Sequence, residues 1–263
     1  MSVAHQPILT LTLASALALL AYALAAWRGH GAQAMPWLGL GWAAQAVALL
    51  VDIGGLGDGA AGARFGVGPA LSLTVWLVMA VALLEGRMLP LEALRRPLAL
   101  LAAAAVALAW TLPGQSHQAS SPWAPLHWAL GLASYGLVGA AVLHAWLMQR
   151  AEAHLRSARP AVGPGLPLLR LERLTFQYVA GSVVVLGAAL ALGAWFSPRW
   201  QWDHKTVFAL LSWGVLAALW LGRWRLGWRG RQAARWVYLG SALLLLSYAG
   251  SRFVLQVLLG RSV

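Results

Sequence analysis

The stretch Trp123–Met148, WAPLHWALGLASYGLVGAAVLHAWLM, decides the fold. It contains no Asp, Glu, Lys or Arg. A run this long and this apolar crosses a bilayer as a helix. About 20 such residues span the hydrocarbon, and lipid offers no partner for an unpaired backbone N–H or C=O.

Seven further runs read the same way. They are roughly Pro7–Trp27, Pro36–Val51, Phe65–Leu84, Leu98–Leu112, Thr175–Phe196, Thr206–Leu221 and Arg235–Leu259. The fold class expected is therefore all-α: a polytopic membrane protein, a bundle of about eight transmembrane helices forming one integral membrane domain over residues 1–263. Composition agrees. The chain is 60% hydrophobic and 10% charged, against about 25% charged in soluble domains. That excludes a soluble globular domain, and the hydrophobicity excludes a disordered one. With no Cys, disulfides, thiolate metal sites and iron–sulfur clusters are excluded too. Met1–Gln6 has no Lys or Arg, so the first run reads as a retained span and not as a signal peptide.

The formal charge of +12 has the sign of a nucleic-acid binder, but its distribution gives another meaning. Arg28 follows the first span, and Arg87, Arg95 and Arg96 follow the third. Arg150, Arg156, Arg159, Arg170 and Arg173 follow the fifth, and Arg223, Arg225, Arg229, Arg231 and Arg235 follow the seventh. The opposite side carries only Arg64, Arg199, Lys205 and Arg261. Basic residues concentrate in cytoplasmic loops. The expected location is thus the bacterial inner membrane, multi-pass, with both termini periplasmic and no nucleic-acid partner. The loop between the fifth and sixth spans holds the Pro/Gly-rich stretch 159–167, followed by a short interfacial helix expected over Leu168–Leu174.

Polar residues point to where chemistry lies. His127 opens the fifth span and His204 the seventh, so both face the outer surface. Two neutral imidazoles from different helices can ligate one haem iron. They can equally bind another metal or sit at a wet interface, and spacing alone leaves these readings open. His144 is too far along the His127 helix, about 25 Å, to share a ligand with it. Beside His204 runs AWFSPRWQWDHKT, which sets Trp195, Trp200 and Trp202 next to Asp203. An aromatic belt at the headgroup level accounts for most Trp here. Three in one short loop also make a flat surface of the kind a porphyrin stacks on. Arg199 and Lys205 can pair with propionates through charge-assisted bonds. Arg252, inside the last span, can snorkel outward to Asp52, Asp203 or a propionate. Gln45, Gln177, Ser134 and Tyr135 are the other expected buried polar groups. No phosphate-binding loop, dinucleotide fingerprint, HExxH or nucleophile elbow occurs, so the machinery of a soluble enzyme is not visible.

The C-terminal third, WDHKTVFALLSWGVLAALW and then GWRGRQAARWVYLGSALLLLSYAGSRFVLQVLLG, resembles the cytochrome c assembly protein family. That membrane group includes CcsA, CcmC and HemX-like proteins, and the chain looks most like its YpjD-type inner membrane members. ALSLTVWLV, LHWALGLASYGLV and LPLLRLERLTFQ extend the resemblance over about residues 36–260. It implies a helical bundle that holds haem at its outer face, between His ligands and a Trp-rich loop, for attachment to apocytochrome c. Carried onto this chain, His127 matches the outer His, Trp195, Trp200, Trp202 and Asp203 match a shortened Trp-rich motif, and His204 follows that Asp. The motif W-G-x-x-W-x-W-D-P-K-E of the assembly proteins proper is here W-Q-W-D-H-K-T, and Arg223 and Arg225 stand where some relatives carry His. The expectation is haem handling without haem-lyase activity. His127 and His204 would be the iron ligands, and apocytochrome c or another assembly protein the partner beside the bilayer. The other readings are a HemX-like membrane regulator, docking a partner on its Arg-rich loops, and an accessory role in divalent-metal transport.

Overall fold

A computed structural model describes residues 6–28, 33–54, 63–86, 92–112, 114–117, 122–156, 168–196 and 202–247. Apart from one small ribbon, the described residues are helical. Seven of the eight described helices are long and apolar enough to cross a membrane by length and composition. The chain is an all-α polytopic membrane protein. It divides into two compact units, Met1–Ser120 and Ser121–Val263.

The first unit contains α1 (Gln6–Arg28), α2 (Ala34–Ile53), α3 (Val67–Glu85) and α4 (Glu92–Thr111). Helix α1 packs on α2 and α4, and α3 packs on α4. Apart from Tyr22, the face that α1 buries is made of small residues. Ala14, Ala18, Ala21 and Ala25 are buried, while Leu9, Leu13, Leu17 and Leu20 are exposed. In water that pattern would be inside out. In lipid it is favourable, because small residues let backbones approach and leucine is at home among acyl chains.

A buried polar knot ties three of these helices. The Tyr22 hydroxyl donates to Gln45 Oε1 at 2.7 Å, and Gln45 Nε2 donates to the Ser72 carbonyl at 3.0 Å and to Ser72 Oγ at 2.9 Å. Gln45 is thus buried as expected, with both amide hydrogens and its oxygen engaged. Beside it, Trp42 and Trp76 stack at 4.7 Å and 7°. Each indole N–H donates to the other residue's carbonyl, at 3.2 and 2.9 Å.

Two three-residue strands, unforeseen in the sequence, close one end of this unit. They are β1 (Ala63–Phe65) and β2 (Gln115–His117), antiparallel, with Arg64 opposite Ser116. Three residues are too few for a hydrophobic alternation to show. Backbone pairing and two anchors hold them: Arg64 Nε donates to the Gly114 carbonyl at 2.9 Å, and Gly114 N–H donates to the buried Asp52 carboxylate at 3.3 Å.

The second unit is a four-helix ring of α5 (Ala124–Arg156), α6 (Leu168–Phe196), α7 (His204–Leu226) and α8 (Gly230–Leu245). Helix α5 packs on α6 and α8, and α7 packs on α6 and α8. Two expectations change here. No separate interfacial helix forms over Leu168–Leu174, because those residues are the first turns of a continuous α6. Gln177 is exposed on α6 and not buried. The expected eighth span is described as far as Ser247, and its remainder lies outside the described residues.

Candidate functional site

One end of the second unit gathers the start of α5, the end of α6 and the start of α7. His127 sits in the first turn of α5. Its Nδ1 lies 2.9 Å from the Ala189 carbonyl on α6. A carbonyl only accepts, so Nδ1 carries the hydrogen and the lone pair of the ring is on Nε2. The approach depends on Gly193, one helical turn beyond Ala189. A Cβ there would stand 2.9 Å from His127 Cε1 and 3.3 Å from Nδ1. Glycine inside a helix costs up to about 1 kcal/mol relative to alanine, and in this last turn of α6 the missing methyl is where the imidazole lies.

Helix α7 starts beside this ring. Asp203 is its N-cap, accepting from Thr206 N–H at 2.8 Å. Partial burial pushes the Asp203 carboxyl up, but the Thr206 hydrogen bonds and the charges of Lys205 and His204 outweigh it and leave the group below its ordinary 3.8. Lys205 is near enough for its charge to act on His127. His204 is exposed on the same turn. Trp195, at the end of α6, and Trp202, just before Asp203, are 85% and 73% exposed, so both indoles present most of their surface outward. Arg199, Trp200 and Arg252 lie outside the described residues.

Below this end the polar groups serve packing. Ser134 donates to the Gly131 carbonyl within α5 at 2.6 Å. Tyr135 donates to the Leu244 carbonyl at 2.7 Å and lies 3.1 Å from Ser247 Oγ. At this point α8 widens into a π turn, Leu246 and Ser247. His144 is fully buried, bonds the Ala140 carbonyl of its own helix at 2.7 Å, and stacks on Tyr178. Among the described residues there is no group of three or more His, Cys, Asp or Glu able to hold a metal ion.

The sequence singled out His127 but not Ala189 or Gly193. A legible signal existed: Gly181, Gly187 and Gly193 recur at six-residue steps along α6. Two of them admit a ring from a neighbour, Gly187 the Trp213 indole and Gly193 the His127 imidazole.

The fold and this end define a polytopic membrane protein with a histidine seated between helices beside an exposed aromatic and cationic edge. The chain matches the family described as "Cytochrome C assembly protein" over residues 67–259, and it belongs to that family. Membership supports a role in cytochrome c biogenesis. Among its relatives, an uncharacterized 28.8 kDa protein of Azospirillum brasilense is 34% identical over 211 residues, covering 74% of this chain and 77% of that protein. Inner membrane protein YpjD of Escherichia coli is 29% identical over 159 residues, 58% of this chain and 60% of YpjD. Cytochrome c biogenesis protein CcsA of Parasynechococcus marenigrum is 35% identical over 97 residues, 36% of this chain and 32% of that one. No solved structure matches the chain significantly.

Proposed function

We propose that this protein binds haem at the outer end of its second unit and presents it during cytochrome c assembly in the inner membrane, with both termini on the periplasmic side. The observation that carries the reading is the hydrogen bond from His127 Nδ1 to the Ala189 carbonyl. It selects the tautomer whose Nε2 can ligate iron and orients the ring, the arrangement that metal-binding histidines rely on. The donor set suits haem: an imidazole, indoles for the porphyrin faces, and a lysine for a propionate. His127 would be one ligand and His204 the other. Trp195, Trp200 and Trp202 would form the platform, with Asp203 fixing the first turn of α7. Arg199, Lys205 and Arg252 would meet the propionates. When bound, haem supplies its own iron chemistry. The chain holds, orients and releases it, without itself catalysing attachment.

The test is an absorption spectrum of the purified protein, oxidised and reduced. A Soret band is expected in the wild type. It should be lost in His127→Gly and restored there by added imidazole. A wild-type protein that takes up no haem, or a His127→Gly spectrum identical to wild type, would overturn the reading. A C-terminal reporter active in the cytoplasm would overturn the orientation alone.

A further inference from the structure

The other end of the second unit carries a surface that haem handling does not use. The connection from α7 to α8 is three residues, Gly227–Arg229. Gly227 closes α7 at φ 66°, in the left-handed region, so the chain reverses at once. Its basic side chains therefore stay within one side-chain length of the helix ends. Arg223 is committed: it pairs with Glu172 and lies over the Phe176 ring at 4.0 Å. Arg229 touches the same carboxylate at 3.6 Å, yet its side chain is 68% exposed. Arg225 and Arg231 are exposed, and no ion pair is recorded for either among the described residues. The N-terminus of α8 adds the same sign, since Arg229 is its N-cap and its first turn holds no acidic residue; a carboxylate beside it, Glu152 of α5, stands 3.2 Å from where a Cβ on Gly230 would be and is paired with Arg156. Directly beside these cations the surface is apolar. Trp224 is 76% exposed and Leu226 67%, and Trp220 meets Trp224 edge to face at 6.4 Å.

We propose that this end of the second unit seats the headgroup of an anionic phospholipid, with Arg225, Arg229 and Arg231 around the phosphodiester and Trp224 and Leu226 against the upper acyl chain. The juxtaposition decides between occupants. A free phosphate or an acidic soluble protein would satisfy the guanidinium groups and make no use of Trp224 and Leu226. A phospholipid satisfies both parts, and so short a connection holds the arginines at headgroup depth. Basic groups beside an anionic membrane each add an attraction that falls off within a Debye length.

The experiment uses the full chain in detergent, titrated with phosphatidylglycerol or phosphatidylcholine. Retained lipid is counted by native mass spectrometry, and the unfolding midpoint is followed in parallel. Phosphatidylglycerol is expected to be retained and to raise the midpoint above that in phosphatidylcholine. Arg225→Gln and Arg231→Gln should each weaken phosphatidylglycerol binding about fivefold, with unchanged midpoints in phosphatidylcholine. Arg96→Gln, an exposed arginine on α4 of the first unit, should bind as wild type does. The proposal fails if the two lipids bind alike, if both glutamine variants retain phosphatidylglycerol as wild type does, or if Arg96→Gln weakens binding equally. It fails too if millimolar inorganic phosphate reproduces the shift, or if a soluble protein occupies the patch in place of lipid.

Discussion

Gly193 and His127 occupy one space between two helices: the imidazole lies where residue 193 would place a methyl, 2.9 Å from the ring's Cε1. Helix stability and ring position therefore pull in opposite directions at this residue. Gly193→Ala gains helix propensity of at most about 1 kcal/mol but pushes the ring off the Ala189 carbonyl. Loss of such an orienting bond typically costs about 10–100-fold in metal affinity. The expected result is a protein no less helical than wild type by circular dichroism, with haem affinity at least about tenfold weaker. Unchanged affinity would remove the Ala189 bond from the account.

Asp203 gives the same end a pH response. Its folded carboxyl lies below its ordinary 3.8. The stabilisation from its charged form is therefore complete above that value and is lost as pH falls through the lower, folded value. Asparagine caps a helix about as well but does not titrate. Unfolding midpoints of wild type and Asp203→Asn should run parallel above pH 3.8 and diverge only in more acid solution, wild type falling faster. Asp203→Ala should cost about 1 kcal/mol at neutral pH.

In the first unit, Gln45 has no spare hydrogen-bonding atom. Tyr22→Phe removes the donor to Gln45 Oε1 and leaves a buried acceptor unpaired, at an expected cost of about 1–2 kcal/mol in unfolding equilibria. Gln45→Leu removes both sides of the knot and strands Tyr22 and Ser72 together, so it should cost at least as much. A Tyr22→Phe protein as stable as wild type would contradict this account.

Trp42 and Trp76 exchange hydrogen bonds while stacked. Replacing either with Phe breaks one bond and weakens the stack for both. The two single variants and the double variant should therefore be non-additive, with a coupling of about 0.5–1.5 kcal/mol measured by a double-mutant cycle. Additive losses would show that the two rings contribute independently.

Much of the architecture was legible because lipid makes a coarse demand. A run such as Trp123–Met148 has one stable conformation in hydrocarbon, and its length counts the crossings. The ends were less legible. Helix α5 continues to Arg156 and α6 begins at Leu168, since a helix does not stop where its residues become polar. The β1–β2 ribbon could not be seen, because its anchors Asp52, Arg64 and Gly114 are far apart in sequence and form no periodic pattern. At the site, His127 stood out as a polar residue at a membrane boundary. The carbonyl it bonds carries no residue signature, so Ala189 was invisible. Gln177 misled because composition cannot tell which face of α6 a residue occupies.

The polar contacts described for the first unit have a consequence for biosynthesis. The hydrogen bonds described for Tyr22, Gln45, Ser72, Asp52, Arg64 and Gly114 all close within the first 120 residues. A nascent chain can close these bonds while the later helices are still being translated. The insertion machinery then need not shield an unpaired Gln45 until synthesis ends. The second half, which holds His127, can then enter a membrane where these bonds are already closed.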